Sequence, residues 1–112
     1  MVCVEKELDD IMILTLKGKL ITTDETGKLH EHIKSVLERD LNRIILNMKN
    51  LTRISSLGIG GIMRALTIVR DAGGDLRLAG LDDNVKNIFS ITKLIGVIQI
   101  FDQTDQAVES FI

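Results

Sequence analysis

The feature that most constrains this chain is an alternation of short β-like runs with longer segments in which apolar residues recur every three or four positions. Residues 2–8 and 11–16 flank Asp9 and Asp10, which predicts an opening β-hairpin with both aspartates in the turn. The later strands alternate with helices, as they do in sheets that are mostly parallel. The sequence therefore predicts one α/β domain over residues 1–112, with a mixed, mostly parallel sheet of four to five strands and about four helices.

Capping residues and periodicity place the remaining elements. Helices are expected from the Thr22-Thr23-Asp24-Glu25 run onwards, from Ser56 to about Asp71, after Asp82 and after Thr104. Strands are expected at residues 44–46, 76–79 and 98–101, with a loop over residues 47–54. Polar residues then cluster at the carboxyl ends of the strands, where functional sites in open α/β sheets usually lie.

Composition argues against several classes of function. Fourteen Lys plus Arg against 16 Asp plus Glu give a net charge of −2, and the chain has three Phe but no Trp or Tyr. Nucleic-acid binders usually carry a basic excess, and single-strand binders use aromatic stacking, so no direct nucleic-acid contact is expected. Cys3 is the single cysteine and is expected to act as a small hydrophobic residue, which leaves no internal disulfide and no cysteine zinc site.

Membrane, metal and catalytic sites are not expected either. The apolar stretches are far shorter than a membrane span and the first residues do not resemble an export signal, so we expect a cytoplasmic protein without a membrane partner. His30 and His32 lie two positions apart on a predicted helix, so we expect solvated surface histidines rather than metal ligands. A serine nucleophile at Ser55 or Ser56 would lack the G-x-S-x-G elbow and an orienting third group, so no enzymatic activity and no cofactor are expected.

Residues 50–62 carry most of the functional information. Ser55 and Ser56 stand where the second helix should be capped, and Gly58, Gly60 and Gly61 fall in its first turns. Each helical glycine costs about 0.5–1 kcal/mol relative to alanine, which suggests that something approaches this backbone closely. Either a serine caps the helix while the glycines let it pack close to the sheet, or an exposed serine is phosphorylated at a helix end that favours anions. The G-x-x-x-x-G-K-[ST] pattern is missing, so nucleotide hydrolysis is not expected.

The order of motifs resembles the STAS domains, and among them the bacterial anti-sigma factor antagonists. The resemblance covers nearly the whole chain. Its central piece is Ile54-Ser55-Ser56-Leu57-Gly58-Ile59-Gly60, which stands where the family has Asp-Ser-Ser-Gly-Leu-Gly after an apolar residue. The run from Ala72 to Leu81, residues 88–94, Ile100-Phe101-Asp102 and residues 104–108 follow the later family pattern in order.

The resemblance implies a function by binding. An unmodified antagonist of this family binds an anti-sigma factor, often a serine kinase, and frees the sigma factor; phosphorylation of the motif serine turns this off. The match to the family glycines places that serine on Ser56, and a shift of one residue would place it on Ser55. The oligomeric state is left open. The implied partner surface comprises Thr22, Thr23, Ser55, Ser56, Leu57, Gly58, Gly60, Gly61 and Arg64.

Three family aspartates are replaced in this chain. Ser55 stands at the position of the aspartate before the phosphorylated serine, Asn47 at the aspartate that ends the third strand, and Ile21 at the aspartate after the second strand. Such carboxylates would be expected to orient the serine or its kinase. Their absence favours an alternative, in which the chain is a non-switched STAS scaffold or ligand-sensing module of a larger signalling complex.

Overall fold

The computed structural model describes all 112 residues and begins with the predicted hairpin. Strand β1 (Val2–Leu8) pairs antiparallel with β2 (Ile11–Leu20), and Leu8 lies opposite Ile11. Asp9 and Asp10 form the two-residue turn with φ of 50° and 64°. Two consecutive positive φ angles give the turn a twist that matches the right-handed twist of the strands, and Asp tolerates this conformation better than most residues.

The predicted α/β class is confirmed: four helices accompany one sheet of five strands in the order β1-β2-β3-β4-β5. Only the β1–β2 pair is antiparallel, and each later pair is parallel. The remaining elements are α1 (Thr23–Glu38), β3 (Arg43–Ile54), α2 (Ser56–Asp71), β4 (Asp75–Ala79), α3 (Asp83–Ile91), a 3₁₀ turn (Leu94–Gly96), β5 (Ile100–Phe101) and α4 (Thr104–Ser110).

The helices divide unequally between the two faces of the sheet. Helices α1, α2 and α3 share one core of 21 buried residues with β2, β3 and β4. Helix α4 covers part of the other face through Ala107, which packs in a small cluster with Ile11, Ile13, Ile45 and Ala79. Neighbouring residues of β2 and β3 thus face opposite cores, so both strands are almost continuously apolar, as expected of strands that are covered on both sides.

The predicted loop over residues 47–54 is wrong, because β3 continues as a strand to Ile54. Strand β2 also runs four residues beyond its predicted end and supplies the partner, with Lys17 opposite Asn50 and Leu20 opposite Ile54. Two register shifts interrupt this pairing, and such bulges hide the regular alternation of apolar and polar residues that would mark a strand. Strand β4 ends opposite Asn47, so this part of β2 and β3 extends past it.

Two smaller expectations are also corrected near the C-terminus. Strand β5 begins at Ile100 rather than Ile98, whose buried side chain packs in the main core without strand pairing. The N-cap of α4 is Gln103 rather than Thr104, and the Gln103 backbone N–H donates to Gln106 Oε1 at 3.1 Å. By contrast, Asp82 caps α3 as predicted, accepting from the Val85 backbone N–H at 2.8 Å.

The environment of Cys3 agrees with its expected hydrophobic role. The half-buried side chain packs against the main core. Burial, and to a lesser extent the nearby charge of Glu5, raises the pKa of the Cys3 thiol from 9.0 to about 11. The thiol is therefore protonated at neutral pH and is a weak nucleophile.

Candidate functional site

The first turn of α2 is tied to the end of β2 by Ser55. This residue is the N-cap of α2, and its Oγ accepts from the Gly58 backbone N–H at 3.2 Å. The same hydroxyl donates to the Ile21 carbonyl at 2.7 Å, and the Ser55 backbone N–H donates to the Leu20 carbonyl at 3.1 Å. Ser55 is half-buried, so its hydroxyl already serves as a structural connection between two strand ends.

Ser56 differs from Ser55 in its exposure and in its hydrogen bonding. It is the first residue of α2, it is exposed, and its hydroxyl makes no hydrogen bond within the protein. The first amides of a helix lack intrahelical partners and carry the positive end of the helix dipole, so an anion at this position is favoured locally. The geometry offers an accessible hydroxyl at a place that tolerates a phosphate.

Two of the three glycines of α2 make room for the protein's own chain. A Cβ on Gly58 would lie 2.1 Å from the Leu20 carbonyl oxygen, and a Cβ on Gly61 would lie 2.5 Å from Cγ2 of Thr26. Both glycines are buried, so their expected place on the partner surface is corrected: the close approach comes from β2 and α1. Gly60 is exposed, and a Cβ there would meet nothing within 4 Å.

The remaining expected contact residues are all exposed. Ser56, Gly60 and Arg64 follow at intervals of four along α2, which places them on one side of the helix. Leu57 is 57% exposed and is one of eight large apolar residues with exposed side chains in this protein. Together with the exposed start of α1, these residues form a surface that we call the docking face: Thr22, Thr23, Ser56, Leu57, Gly60 and Arg64.

The start of α1 is held by a capping box. Thr22 Oγ1 accepts from the Glu25 backbone N–H at 3.3 Å, and Glu25 Oε1 accepts from the backbone N–H groups of Thr22 and Ile21, each at 3.0 Å. The hydrogen bonds from Thr22 and then Ile21 lower the pKa of Glu25 from 4.5 to about 2. The Ile21 backbone therefore donates a hydrogen bond to Glu25 through its N–H group and accepts one from Ser55 through its carbonyl oxygen.

This capping box predicts a specific loss of stability in acid. Because the folded-state pKa of Glu25 lies below its usual value of 4.5, the stabilisation is complete above that pH and is lost as the pH falls towards about 2. We expect Glu25→Gln to lower the melting temperature at pH 7, and the difference from the wild type to shrink steadily between pH 5 and pH 2. Thermal unfolding followed by circular dichroism measures this. A difference that does not depend on pH would contradict the role of the charge.

The two histidines do not occupy equivalent places. His30 Nε2 lies 2.8 Å from the Gly61 carbonyl oxygen and is half-buried between α1 and α2, so the expectation of a solvated His30 is wrong. His32 has a side chain that is 39% exposed, and its Nδ1 lies 3.6 Å from a carboxylate oxygen of Glu5. Neither ring hydrogen-bonds to Ser55 or to Ser56, so the structure does not assemble a serine–histidine pair.

Asn47, which also replaces a family aspartate, lies away from the docking face. Asn47 Nδ2 donates to Thr15 Oγ1 at 3.3 Å, and Asn47 Oδ1 accepts from the Lys49 backbone N–H at 3.2 Å. It borders an open polar cavity of about 580 Å³ at the carboxyl ends of β4 and β5, the edge of the sheet at which the sequence predicted polar residues to cluster. The cavity is lined by Asn47, Lys49, Gly80, Leu81, Asp102, Gln103, Thr104 and Asp105.

No group of three or more His, Cys, Asp or Glu side chains is arranged to hold a metal ion. None of the helices combines the length and the apolar character that a bilayer crossing requires.

Known proteins share both sequence and fold with this chain. The family model described as STAS domain matches residues 4–107. A protein of Thermotoga neapolitana, named as a candidate anti-sigma factor antagonist, is 30% identical over 105 residues that cover 93% of this chain and 92% of that protein. The crystal structure of a candidate anti-sigma factor antagonist of Thermotoga maritima matches with a TM-score of 0.87 at 24% identity, covering 96% of this chain and 92% of that one. The phosphorylated form of the Bacillus cell fate determinant SpoIIAA matches with a TM-score of 0.74 at 14% identity, covering 99% of this chain and 100% of that one.

Proposed function

The chain belongs to the STAS domain family, and we propose that within this family it acts as an anti-sigma factor antagonist. In this proposal the docking face binds an anti-sigma factor that is a serine kinase, and the sigma factor is released. Phosphorylation of Ser56 by the kinase ends the contact. The names of the relatives support the antagonist role, the resemblance to the family implies the kinase and the phosphorylation, and the exposed hydroxyl of Ser56 is consistent with both.

The observation that carries the proposal is the division of roles between the two adjacent serines. The Ser55 hydroxyl is engaged by Ile21 and Gly58, and its phosphorylation would remove the cap of α2. The Ser56 hydroxyl is free and lies beside the exposed side chain of Leu57. An exposed apolar residue next to a modifiable hydroxyl suits a contact that must form in one state and be lost in the other.

The switch follows from desolvation at the contact. A phosphate adds a charge of about −1.5 to −2 at neutral pH. In the free protein, solvent and the first amides of α2 would stabilise it. In a complex, the same phosphate would lose its water while lying against the apolar surface that covers Leu57, which is unfavourable unless the partner supplies a cation. Phosphorylation should therefore weaken binding without unfolding the domain.

We expect Ser56→Asp to weaken binding to the anti-sigma factor by about 10- to 100-fold, which corresponds to about 1.4–2.8 kcal/mol. The carboxylate introduces a charge at the contact, whereas the control Ser56→Ala removes only a free hydroxyl and should bind within about threefold of the wild type. The anti-sigma factor kinases of the source genome are purified one at a time and titrated by calorimetry. Wild-type affinity for Ser56→Asp would remove Ser56 from the switch.

Intact-mass measurement separates the switch from the scaffold alternative. The chain is incubated with the anti-sigma factor kinase that it binds and with ATP, and Ser56→Ala and Ser55→Ala serve as matched variants. The proposal expects a mass gain of one phosphate in the wild type and in Ser55→Ala but not in Ser56→Ala. No gain in any of them would favour the non-switched scaffold, for which the replaced carboxylates at Ile21, Asn47 and Ser55 already argue.

A further inference from the structure

The unexpected extension of β2 and β3 carries an uncompensated positive charge. Lys17 and Lys19 on β2 and Arg53 on β3 are exposed, and none of them takes part in an ion pair. Lys19 lies directly opposite Arg53 in the strand register. Like charges in opposed positions on paired strands are destabilising. We call these three residues the basic overhang.

Acidic residues are missing from the segments that build this region. Residues 11–23 and 41–70 contain no Asp or Glu, although the whole chain has a net charge of −2. The nearest acids to Lys19 along the chain are Asp24, at the start of α1, and Glu25, whose carboxylate is engaged by the capping box. Lys49 is also unpaired but shares its cavity with Asp102 and Asp105, so we leave it out of the basic overhang.

The basic overhang is continuous with the docking face. Arg53 is three residues from Ser56 in the sequence, and the Ser55 backbone N–H holds the end of β2 through the Leu20 carbonyl at 3.1 Å. The exposed apolar side chain of Leu57 thus lies at the end of a strand pair that bears unpaired cations. An apolar anchor with charges at its rim is the common arrangement of protein–protein contacts.

We infer that the surface which binds the docking face is acidic where it meets Lys17, Lys19 and Arg53. This inference rests on the proposed function and specifies the charge of the partner. Opposite charges at the rim of a contact raise the association rate, and salt screens the effect. A protein surface fits better than a nucleic acid, because the chain is acidic overall and has no Tyr or Trp to stack on bases. A phosphate on Ser56 would also compete with the partner's carboxylates for these cations.

Charge reversal tests the inference with the anti-sigma factor identified by calorimetry. We expect Lys19→Glu to lower the association rate at low salt by about threefold, and Lys19→Glu with Arg53→Glu to lower it by about tenfold or more, with both differences shrinking as salt increases. The matched control is Lys6→Glu with Lys34→Glu, which makes the same change in net charge at exposed, unpaired lysines outside the overhang. Equal association rates for the overhang and control variants would overturn the inference.

The single variant also separates binding from folding. Lys19→Glu places opposite charges across the β2–β3 pair at the position of Arg53, so we expect its melting temperature to equal or exceed that of the wild type. A lower association rate in a protein of unchanged or greater stability supports a binding role. A parallel fall in melting temperature and association rate would point to a structural role and overturn the inference.

A titration that needs no anti-sigma factor keeps this inference distinct from the proposed function. The wild-type chain is titrated with poly-L-glutamate, with a single-stranded oligonucleotide and with anionic lipid vesicles, and amide chemical shifts are followed. We expect poly-L-glutamate to shift Lys17, Lys19 and Arg53 most strongly. Tighter binding of the oligonucleotide or the vesicles at these residues would overturn the assignment of a protein partner. If no anti-sigma factor binds, the proposed function fails and this titration alone decides the charge assignment.

Discussion

Gly58→Ala should lower the free energy of unfolding by about 2–3 kcal/mol. The added Cβ would lie 2.1 Å from the Leu20 carbonyl oxygen and 2.8 Å from Cγ1 of Ile54. The first contact is with backbone, and that backbone is fixed by hydrogen bonds from Ser55 to the end of β2. The helix cannot move away without breaking them, so the strain stays in the native state. Urea unfolding of the purified variant measures the loss.

Replacing Gly60, two residues later, with alanine should instead increase the free energy of unfolding. A Cβ on Gly60 would meet nothing within 4 Å, and the residue lies inside α2. Gly60→Ala should therefore raise the free energy of unfolding by about 0.5–1 kcal/mol, because alanine loses less conformational entropy in a helix than glycine does. Losses of equal size in the two variants would show that helix propensity, and not the approach of β2, governs this turn.

The Gly60 variant also tests the docking face. If a partner lies close to α2 at this position, Gly60→Ala should bind the anti-sigma factor less tightly although it is more stable. Unchanged affinity would place Gly60 outside the contact and would show that binding does not require a glycine at this position.

Phe89→Ala should lower the free energy of unfolding by about 3–5 kcal/mol. Phe89 is the one residue of α3 that is fully buried, and it belongs to the main core that α1 and α2 also cover. Removing its ring leaves a cavity and takes away the principal anchor of a helix that is only nine residues long. Helix α3 should therefore become the first element to lose protection in hydrogen exchange.

Ile91→Ala is the matched control for this prediction. Ile91 lies on the same helix, but its side chain is 72% exposed. Its truncation should change the free energy of unfolding by no more than about 0.5 kcal/mol, since little apolar surface is returned to water. A large effect of Ile91→Ala would mean that this end of α3 is covered in solution, for instance by a second protein.

Ser55 and Ser56 show that a sequence motif can be recognised before the role of each of its residues can be assigned. Either serine could have been the cap, and the family resemblance assigned Ser56 as the phosphorylated residue while leaving Ser55 possible. The structure distinguishes them through Ile21, whose carbonyl accepts from Ser55 at 2.7 Å. This partner is 34 residues away in the sequence, so no local pattern could have pointed to it.

Features that depend on neighbouring residues could be predicted from the sequence. The hairpin at Asp9 and Asp10, the cap at Asp82 and the bounds of α2 (Ser56–Asp71) all agree with the structure. Each is fixed by a turn conformation, a capping hydrogen bond or an apolar period within a few residues. The family resemblance, which rests on the order of such motifs, is also confirmed.

Features that depend on residues far apart along the chain required the fold. Residues 47–54 form a strand because β2 lies beside them, and His30 is half-buried because it meets the Gly61 carbonyl of another helix. Gly58 and Gly61 are packed so closely against Leu20 and Thr26, which belong to other elements, that a Cβ at either position would clash. Burial, steric exclusion and the clustering of like charges depend on which residues are neighbours in space. Residues far apart in the sequence become neighbours only when the chain folds, so the tertiary structure was needed to identify them.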